Sequence, residues 1–307
     1  MDLLTTNGMA TQLRRLLAEG PVVAPSCFDP LSARLAERAG FSAIHLSGFA
    51  VEATQLGAPD LGLLSMTEVV SHAARITAAV GIPVVADIDT GFGGILNITR
   101  TIREMERAGV AGVHVEDQAL PKHCPVLAGR SIVGRDEAVN RIRAACAART
   151  DPDFVVIART DADIVSLEEV IDRCHLFLAA GADLVMPMDL ALVHNGVPYG
   201  SRSPKEHIEV AKTLVERIDG PLMATGQSIP AGYTVDDLGA LGYSMIPLAS
   251  SAVSAAANAI ARVYDEIRNT GTDYGYRTAN AGPYNDPVEL MRAVGLDGYV
   301  ELEQRYV

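Results

Sequence analysis

The clearest unit of secondary structure in this sequence is the stretch from residue 82 to residue 109, IPVVADIDTGFGGILNITRTIREMERAG. It starts with a short β-branched run, turns through polar residues and glycines, and continues as an amphipathic pattern that ends in Ala108-Gly109. An apolar strand followed by a helix with a glycine stop is typical of a parallel sheet covered on its faces. The stretch therefore predicts one β/α unit.

The same unit recurs along the chain. Eight β/α units over about 250 residues predict a closed (β/α)8 TIM-type barrel. A doubly wound open sheet is the alternative, but no Gly-x-Gly-x-x-Gly opens a helix after the first strand. We predict one domain over residues 1–307, with residues 270–307 as a C-terminal helical extension. The predicted strands are Pro21–Ser26, Ala43–Ser47, Pro83–Asp87, Gly112–Glu116, Phe154–Arg159, Leu184–Pro187, Pro221–Thr225 and Ser244–Pro247. The predicted helices are Leu31–Ala39, Thr67–Ala79, Ile95–Ala108, Asp136–Ala148, Leu167–Ala180, Pro204–Ile218, Val235–Leu241 and Ser251–Asn269.

The composition excludes several classes of protein. With 49% apolar and 21% charged residues, the chain of 307 residues can form a large core and is not of the disordered type. Its 25 Lys+Arg against 38 Asp+Glu give a net charge of −13, which argues against a nucleic-acid partner. No apolar run reaches the ~18 residues of a membrane span, and the N-terminus reads as an amphipathic surface helix. Four separated cysteines without a Cys-x-x-Cys predict reduced thiols in the cytoplasm.

Charged side chains end three successive predicted strands. Asp87 and Asp89 follow the third strand, Glu116 ends the fourth, and Arg159 ends the fifth. In a barrel these ends meet at one mouth, where clustered carboxylates would repel one another unless a cation joined them. Oxygen ligands suit Mg²⁺, so Asp87, Asp89 and Glu116 are candidate metal ligands, although Asp89 could instead cap a turn. We expect Arg159 to bind a substrate carboxylate.

A loop of about 20 residues follows the fourth strand, and loops of that length in ordered domains are mostly lids or binding loops. Cys124 lies in it beside Lys122 and His123, a cationic setting that lowers a thiol pKa. Such a cysteine can be a general acid, and an ordinary surface thiol is the alternative. At the end of the second strand, His45 is either a catalytic or a structural residue. The next residues, Ser47-Gly48-Phe49, could present backbone N–H groups to an anion.

Taken in order, these residues resemble the isocitrate lyase / phosphoenolpyruvate mutase superfamily. The resemblance extends from Val22 to Asp183, over half of the chain, and together its motifs are highly specific. It is carried by Phe28-Asp29-Pro30-Leu31-Ser32-Ala33-Arg34, Leu46-Ser47-Gly48, Gly57-Ala58-Pro59-Asp60-Leu61-Gly62, Asp87-Ile88-Asp89-Thr90-Gly91-Phe92-Gly93, Val115-Glu116-Asp117-Gln118, Pro121-Lys122-His123-Cys124 and Ala158-Arg159-Thr160-Asp161.

The resemblance implies an architecture and a cofactor. It implies a (β/α)8 barrel whose C-terminal helical arm is exchanged between subunits, in a homotetramer built as a dimer of dimers. It also implies Mg²⁺, or Mn²⁺ in its place, bound directly at Asp87, with Asp89 and Glu116 acting largely through water.

The resemblance also implies roles for the remaining site residues. Ser47, Gly48, Phe49 and Arg159 would bind the substrate carboxylate, and Asp60 would lie near the reacting centre. The loop that carries Lys122 and Cys124 would be a gate that closes over the substrate. A cysteine in this gate resembles the branch of 2-methylisocitrate lyase and 2,3-dimethylmalate lyase, in which it donates a proton to the carbanion-like product.

Four departures from the family pattern concern the substrate. His45 stands where tyrosine is usual, and Pro125-Val126 replaces Gly-His after the gate cysteine. Met188 replaces a glutamate, and Thr225, followed by Gln227, replaces an asparagine. We therefore expect Thr225 and Gln227 to contact a smaller or less charged 2-hydroxy acid than 2-methylisocitrate.

A carbon–carbon lyase, acting in either direction, is the function that the sequence favours. A phosphonomutase, a hydrolase of phosphonopyruvate or oxaloacetate, and a non-catalytic binding protein are the alternatives.

Overall fold

A computed structural model describes residues 8–225 and 229–306 of the chain. Eight parallel strands close into a barrel in sequence order, because β8 pairs with β1 through Val22 and Met245. The predicted barrel is therefore confirmed, and the open sheet is wrong. The strands are β1 (Val22–Cys27), β2 (Ile44–Leu46), β3 (Val84–Asp87), β4 (Gly112–Glu116), β5 (Val155–Thr160), β6 (Leu184–Pro187), β7 (Leu222–Met223) and β8 (Tyr243–Leu248).

Helices cover the outside of the barrel, and four of them begin with a capping box that satisfies free N–H groups of the first turn. The eight predicted helices are all present. The α-helices are Met9–Glu19, Pro30–Arg38, Gly48–Gln55, Met66–Thr77, Ile95–Arg107, Arg135–Ala148, Leu167–Ala179, Pro204–Arg217, Val235–Leu241, Ser251–Thr270, Tyr274–Ala279, Pro287–Ala293 and Leu296–Tyr306. Short 3₁₀ turns span Ala162–Ile164, Tyr199–Ser201 and Pro283–Asn285, and a hairpin pairs Val193–His194 with Val197–Pro198.

The first helix, Met9–Glu19, closes the N-terminal end of the barrel. Leu13 is fully buried and belongs to the same apolar cluster as the side chains that fill the barrel interior, among them Val155 and Met245. Leu16 and Leu17 pack against this cluster. The prediction of an amphipathic surface helix is therefore confirmed, and its apolar face is the one that packs on the barrel. No helix in the described parts of the chain combines the length and hydropathy that a membrane crossing requires.

The C-terminal helices lie outside this core. No side chain of Ser251–Thr270 is buried in the single chain, and large apolar side chains remain exposed here and in the helices that follow. Among them are Ile260, Tyr264, Ile267, Tyr274, Met291, Tyr299 and Tyr306.

Candidate functional site

A cavity of about 210 Å³ opens at the C-terminal mouth of the barrel, where the sequence places the polar strand ends. Its wall includes eight of the predicted site residues: His45, Ser47, Phe49, Asp60, Asp87, Cys124, Arg159 and Thr225. Four other predicted residues lie directly behind the wall, next to residues that line it: Gly48 beside Asp87, Glu116 beside Arg159, Lys122 beside Asp60, and Asp89 beside Lys122. Gln227 lies outside the described residues. A second histidine, His114, a serine, Ser250, and several apolar side chains complete the lining; the apolar ones are Pro125, Val126, Met186, Met188, Pro247 and Ala249.

Strand register explains how charged groups from different strands meet. In the barrel, Asp87 is the partner of His114 and Glu116 is the partner of Arg159. The Asp87 carboxylate consequently lies 3.6 Å from His114 Nδ1, and Glu116 Oε2 lies 2.9 Å from Arg159 Nη1. The sequence analysis predicted that Asp87, Glu116 and Arg159 lie at one mouth of the barrel, and the structure places these three side chains there; it did not predict His114.

The two aspartates after β3 differ in their electrostatics. Burial opposes ionisation of Asp87, but His114, Lys122 and Arg159 together hold its pKa below the usual value. Burial in turn lowers the pKa of His114. Asp89 adopts a positive φ of 48°, and burial raises its pKa to about 6 although Lys122 Nζ lies 2.6 Å away.

The acidic cluster fits a hard cation. Glu116 is buried, and its Oε1 has no hydrogen-bond partner, which is costly unless a ligand supplies one. A side chain at position 48 would place its Cβ 2.8 Å from Asp87 Oδ2, so only Gly48 leaves this oxygen uncovered. Within the described ranges, no three His, Cys, Asp or Glu side chains converge closely enough to hold an ion. Asp87, Asp89 and Glu116 therefore do not meet at one point as the sequence predicts, and the fit to a hard cation such as Mg²⁺ rests on the uncovered oxygen of Asp87 and the unpartnered oxygen of Glu116.

Arg159 is held in place from both sides. Its Nε and Nη2 donate hydrogen bonds to Asp161, each at 2.9 Å, and its Nη1 faces Glu116. The side chain is buried, yet it contributes to the cavity wall. The predicted carboxylate-binding residue is thus fixed in orientation by two carboxylates, as preorganised binding requires.

His45 forms a buried pair that the sequence analysis missed. Its Nδ1 lies 3.0 Å from Ser26 Oγ, and its Nε2 lies 2.9 Å from Nε2 of His114. One of these two Nε2 atoms must carry the hydrogen and the other must accept it. Burial, and then His114, lower the pKa of His45 to about 3, so His45 is neutral at physiological pH. Strand alternation could have identified His114, which lies two residues before Glu116 on β4.

The loop after β4, which the resemblance implies is a gate, covers part of the cavity through Cys124, Pro125 and Val126. Lys122 is buried and its Nζ contacts the carboxylates of Asp60 and Asp89, while the backbone N–H of Cys124 donates to Asp60 O at 3.0 Å. Burial and the Asp60 carboxylate raise the pKa of Cys124 to about 11. The prediction of a lowered thiol pKa is therefore wrong, because burial and Asp60 outweigh the lowering effect of Lys122, whose ammonium group is paired with Asp60 and Asp89. A protonated thiol is the form that a proton donor needs.

The departures from the family pattern meet in this same cavity. His45, Pro125, Met188 and Thr225 all belong to its wall. Met188 is buried, whereas the next residue, Asp189, pairs with Arg202 at 2.8 Å and is absent from the lining. Asp189 therefore does not take the place of the missing glutamate.

Comparisons with known proteins agree with this geometry. The family model described as phosphoenolpyruvate phosphomutase matches residues 13–268. The 2,3-dimethylmalate lyase of Eubacterium barkeri is 35% identical over 304 residues, which cover 97% of this chain and 98% of that protein.

Two solved structures extend the comparison. Oxaloacetate acetylhydrolase in complex with the inhibitor 3,3-difluorooxalacetate has a TM-score of 0.83 and 32% identity, and the match covers 97% of this chain and 96% of that one. Phosphonopyruvate hydrolase in complex with oxalate and Mg²⁺ has a TM-score of 0.81 and 30% identity, with 99% of each chain covered. Because the family model matches most of the chain, and relatives of at least 30% identity match its sequence and fold along nearly the whole length, this chain is an enzyme of the isocitrate lyase / phosphoenolpyruvate mutase superfamily.

Proposed function

We propose that this enzyme is a Mg²⁺-dependent carbon–carbon lyase that cleaves, or in reverse forms, a 2-hydroxy carboxylate of the alkylmalate type. The products of cleavage are a 2-oxo acid and a second carboxylate. The observation that carries this proposal is the buried thiol of Cys124, which shares one cavity with Asp87 and Arg159. A protonated thiol beside a carboxylate-binding arginine and a metal-binding aspartate suits protonation of a carbanion.

The metal would be held by Asp87 directly and by Asp89 and Glu116 through water. When bound, Mg²⁺, or Mn²⁺ in its place, polarises substrate oxygens and stabilises developing negative charge. Arg159 binds the carboxylate next to the hydroxyl group, with Ser47, Gly48 and Phe49 at the start of the helix Gly48–Gln55 as further contacts.

Cleavage requires two proton movements. A base removes the hydroxyl proton, the bond between C2 and C3 breaks, and C2 becomes the carbonyl carbon of the 2-oxo acid. The electron pair of the broken bond passes to C3 and its carboxylate, and the Cys124 thiol protonates C3. Lys122, between Asp60 and Asp89, holds the gate closed and keeps water out during this step.

The cavity wall points to a substrate with an uncharged alkyl substituent. Met186, Met188, Pro247 and Val126 give part of the wall an apolar surface. Among the described residues, Arg159 is the one lysine or arginine that lines this cavity. Residues 1–7, 226–228 and 307, which the structure does not describe, contain no lysine or arginine. A further substrate carboxylate, as in 2-methylisocitrate, would be buried without a cationic partner. We therefore expect a 2-alkylmalate to be preferred by at least about tenfold in kcat/KM.

A substrate panel tests the proposal. Protein and Mg²⁺ are incubated with 2-alkylmalates, 2-methylisocitrate, oxaloacetate and phosphonopyruvate, and released 2-oxo acid, oxalate or phosphate is measured. We expect 2-oxo acid from an alkylmalate, and a fall in kcat of about 10²–10⁴ in Cys124→Ser. Cys146→Ser, at a cysteine on the barrel's outer helices, is the matched control and should retain activity. Unchanged turnover in Cys124→Ser would exclude the proton-donor role.

A hydrolase is the second candidate, because the oxaloacetate acetylhydrolase structure matches along almost the whole chain. Release of oxalate from oxaloacetate, or of phosphate from phosphonopyruvate, without cleavage of any alkylmalate would favour it. Rearrangement of phosphonopyruvate without release of phosphate would instead indicate a phosphonomutase.

We also propose a cytoplasmic homotetramer in which the C-terminal arm packs on a neighbouring subunit. The exposed apolar side chains of Ser251–Thr270 and the following helices support this assembly, since large exposed apolar patches mark interaction sites. Light scattering should give four times the mass of one chain, and Ile260→Lys with Ile267→Lys should lower it. A monomer at micromolar concentration would exclude the arrangement.

A further inference from the structure

Asp161 links the substrate-binding arginine to the gate without lining the cavity itself. Its side chain is fully buried. Oδ2 accepts a hydrogen bond from Arg159 Nε, and Oδ1 accepts one from Arg159 Nη2, both at 2.9 Å. This fork fixes the plane of the Arg159 guanidinium.

The gate loop, residues 118–134, reaches the same carboxylate from both of its ends. Near its start, Gln118 Nε2 donates to Asp161 Oδ1 at 3.2 Å, and the Gln118 amide also forms two hydrogen bonds to the backbone of His123. Near its end, Arg130 Nη1 donates to Asp161 Oδ1 at 2.7 Å. Arg130 is held further by Asp163, at 2.8 and 3.1 Å. His123 lies between Lys122 and Cys124, so these bonds position the reactive part of the gate.

Charge balance makes this arrangement depend on the gate. With the gate closed, the two guanidinium groups of Arg130 and Arg159 face the carboxylates of Glu116, Asp161 and Asp163. If the gate opened, Arg130 would leave, so Asp163 would lose its arginine partner and Asp161 would keep only Arg159 of its two. Groups that share an acceptor also compete for its geometry, so movement of Arg130 changes the bonds that hold Arg159.

We propose that Asp161 is a positioning residue that couples closure of the gate to the orientation of Arg159. Substrate that binds Arg159 then favours the closed gate, and the closed gate favours substrate binding, because coupling between two sites is reciprocal. The part about Arg159 rests on the proposed function, since it assumes that Arg159 binds a carboxylate. The part about the gate does not.

Alkylation of Cys124 measures the gate without any turnover. The closed gate leaves Cys124 only 7% exposed, so iodoacetamide reacts through open states, and mass spectrometry reports each cysteine separately. The half-buried Cys146 serves as an internal reference. We expect Arg130→Gln, Asp163→Asn and Asp161→Asn to raise the Cys124 rate at least about tenfold, as loss of a buried charged hydrogen bond predicts. Arg135→Gln, which removes an exposed arginine–carboxylate pair just after the gate, should change it less than about twofold.

Oxalate binding in the presence of Mg²⁺ then separates Asp161 from Asp163. Both carboxylates hold Arg130, but only Asp161 holds Arg159. Asp161→Asn should therefore weaken oxalate binding at least about tenfold more than Asp163→Asn in calorimetry. Equal oxalate affinities of the two variants would overturn the coupling. If Cys124 in Arg130→Gln reacted with iodoacetamide at the wild-type rate, the idea that Arg130 holds the gate closed would be overturned.

The outcomes for this proposal and for the proposed function are distinguishable. If the wild-type protein bound no oxalate with Mg²⁺, the proposed function would fail, and so would the coupling to Arg159 that rests on it. The alkylation rates would still decide whether Asp161 and Asp163 lock the gate. Circular dichroism checks the fold of each variant. Arg130→Lys is a conservative variant that keeps the positive charge but cannot donate the paired guanidinium hydrogen bonds to Asp161 and Asp163. Its Cys124 rate should lie between those of wild type and Arg130→Gln.

Discussion

Lys122 offers the sharpest test of the electrostatics of this site, through the substitution Lys122→Met. The side chain is 3% exposed, and its partners Asp60 and Asp89 are 6% and 14% exposed. Removal of one member of a buried ion pair costs about 3–5 kcal/mol, because the remaining charge is left without a partner. The gate can open and admit water to these carboxylates, so we expect the lower end, about 3 kcal/mol. For a chain of 307 residues, with an unfolding entropy of about 2.1 cal/mol/K per residue, that corresponds to a fall in Tm of roughly 5 °C.

The loss should depend on pH. Burial raises the pKa of Asp89 to about 6, above its ordinary value of 3.8, while Lys122 acts to lower it. An acid with a raised folded pKa contributes most stability below its unfolded pKa and loses that contribution as pH rises through the folded pKa. Without Lys122 the folded pKa of Asp89 rises further, so the variant should lose more stability at pH 8 than at pH 5.

Differential scanning fluorimetry at both pH values measures this loss. Lys205→Met is the matched control, because Lys205 is exposed and its pair with Glu209 spans 3.8 Å; its Tm should stay within about 1 °C of wild type. Mg²⁺ should raise the Tm of Lys122→Met more than that of wild type, since it supplies the missing positive charge. A change in Tm below about 2 °C at pH 8, or a larger loss at pH 5 than at pH 8, would refute the reasoning.

Three further substitutions test other parts of the structure. Gly48→Ala brings a methyl group within 2.8 Å of the metal-site carboxylate and should raise the Mg²⁺ dissociation constant at least about tenfold in calorimetry. Leu13→Ala should lower the free energy of unfolding by about 2–5 kcal/mol in urea titrations, because it opens a cavity in the barrel floor. His45→Phe leaves His114 Nε2 buried without its partner and should cost about 1–3 kcal/mol in the same titration. An unchanged Mg²⁺ affinity would contradict the prediction for Gly48→Ala. A free energy of unfolding equal to that of wild type would contradict the prediction for Leu13→Ala or His45→Phe.

Some features were predictable because they depend on local sequence. Each strand of the barrel is an apolar run, and the predicted helices carry local signals, such as the capping boxes of four of them, so β1–β8 and the eight helices followed from the sequence. The position of Asp87, Glu116 and Arg159 at one mouth followed as well, because parallel strands of a barrel end on the same side. The apolar face of Met9–Glu19 was visible as a pattern, but nothing local to it indicated that the barrel floor would cover it.

The sequence by itself determined the barrel, the superfamily and the residue types of the site. Tertiary structure alone decided the electrostatic state of those residues, because a pKa depends on groups that the fold brings together from distant positions. Cys124 lies close to Lys122 in sequence, yet its thiol pKa is raised, because the fold buries the thiol and brings the Asp60 carboxylate next to it. The His45–His114 contact and the meeting of Arg159 with Arg130 at Asp161 arise in the same way, from strand register and loop closure. Such long-range contacts leave no periodic signal in the chain, so they appear only once the barrel has closed.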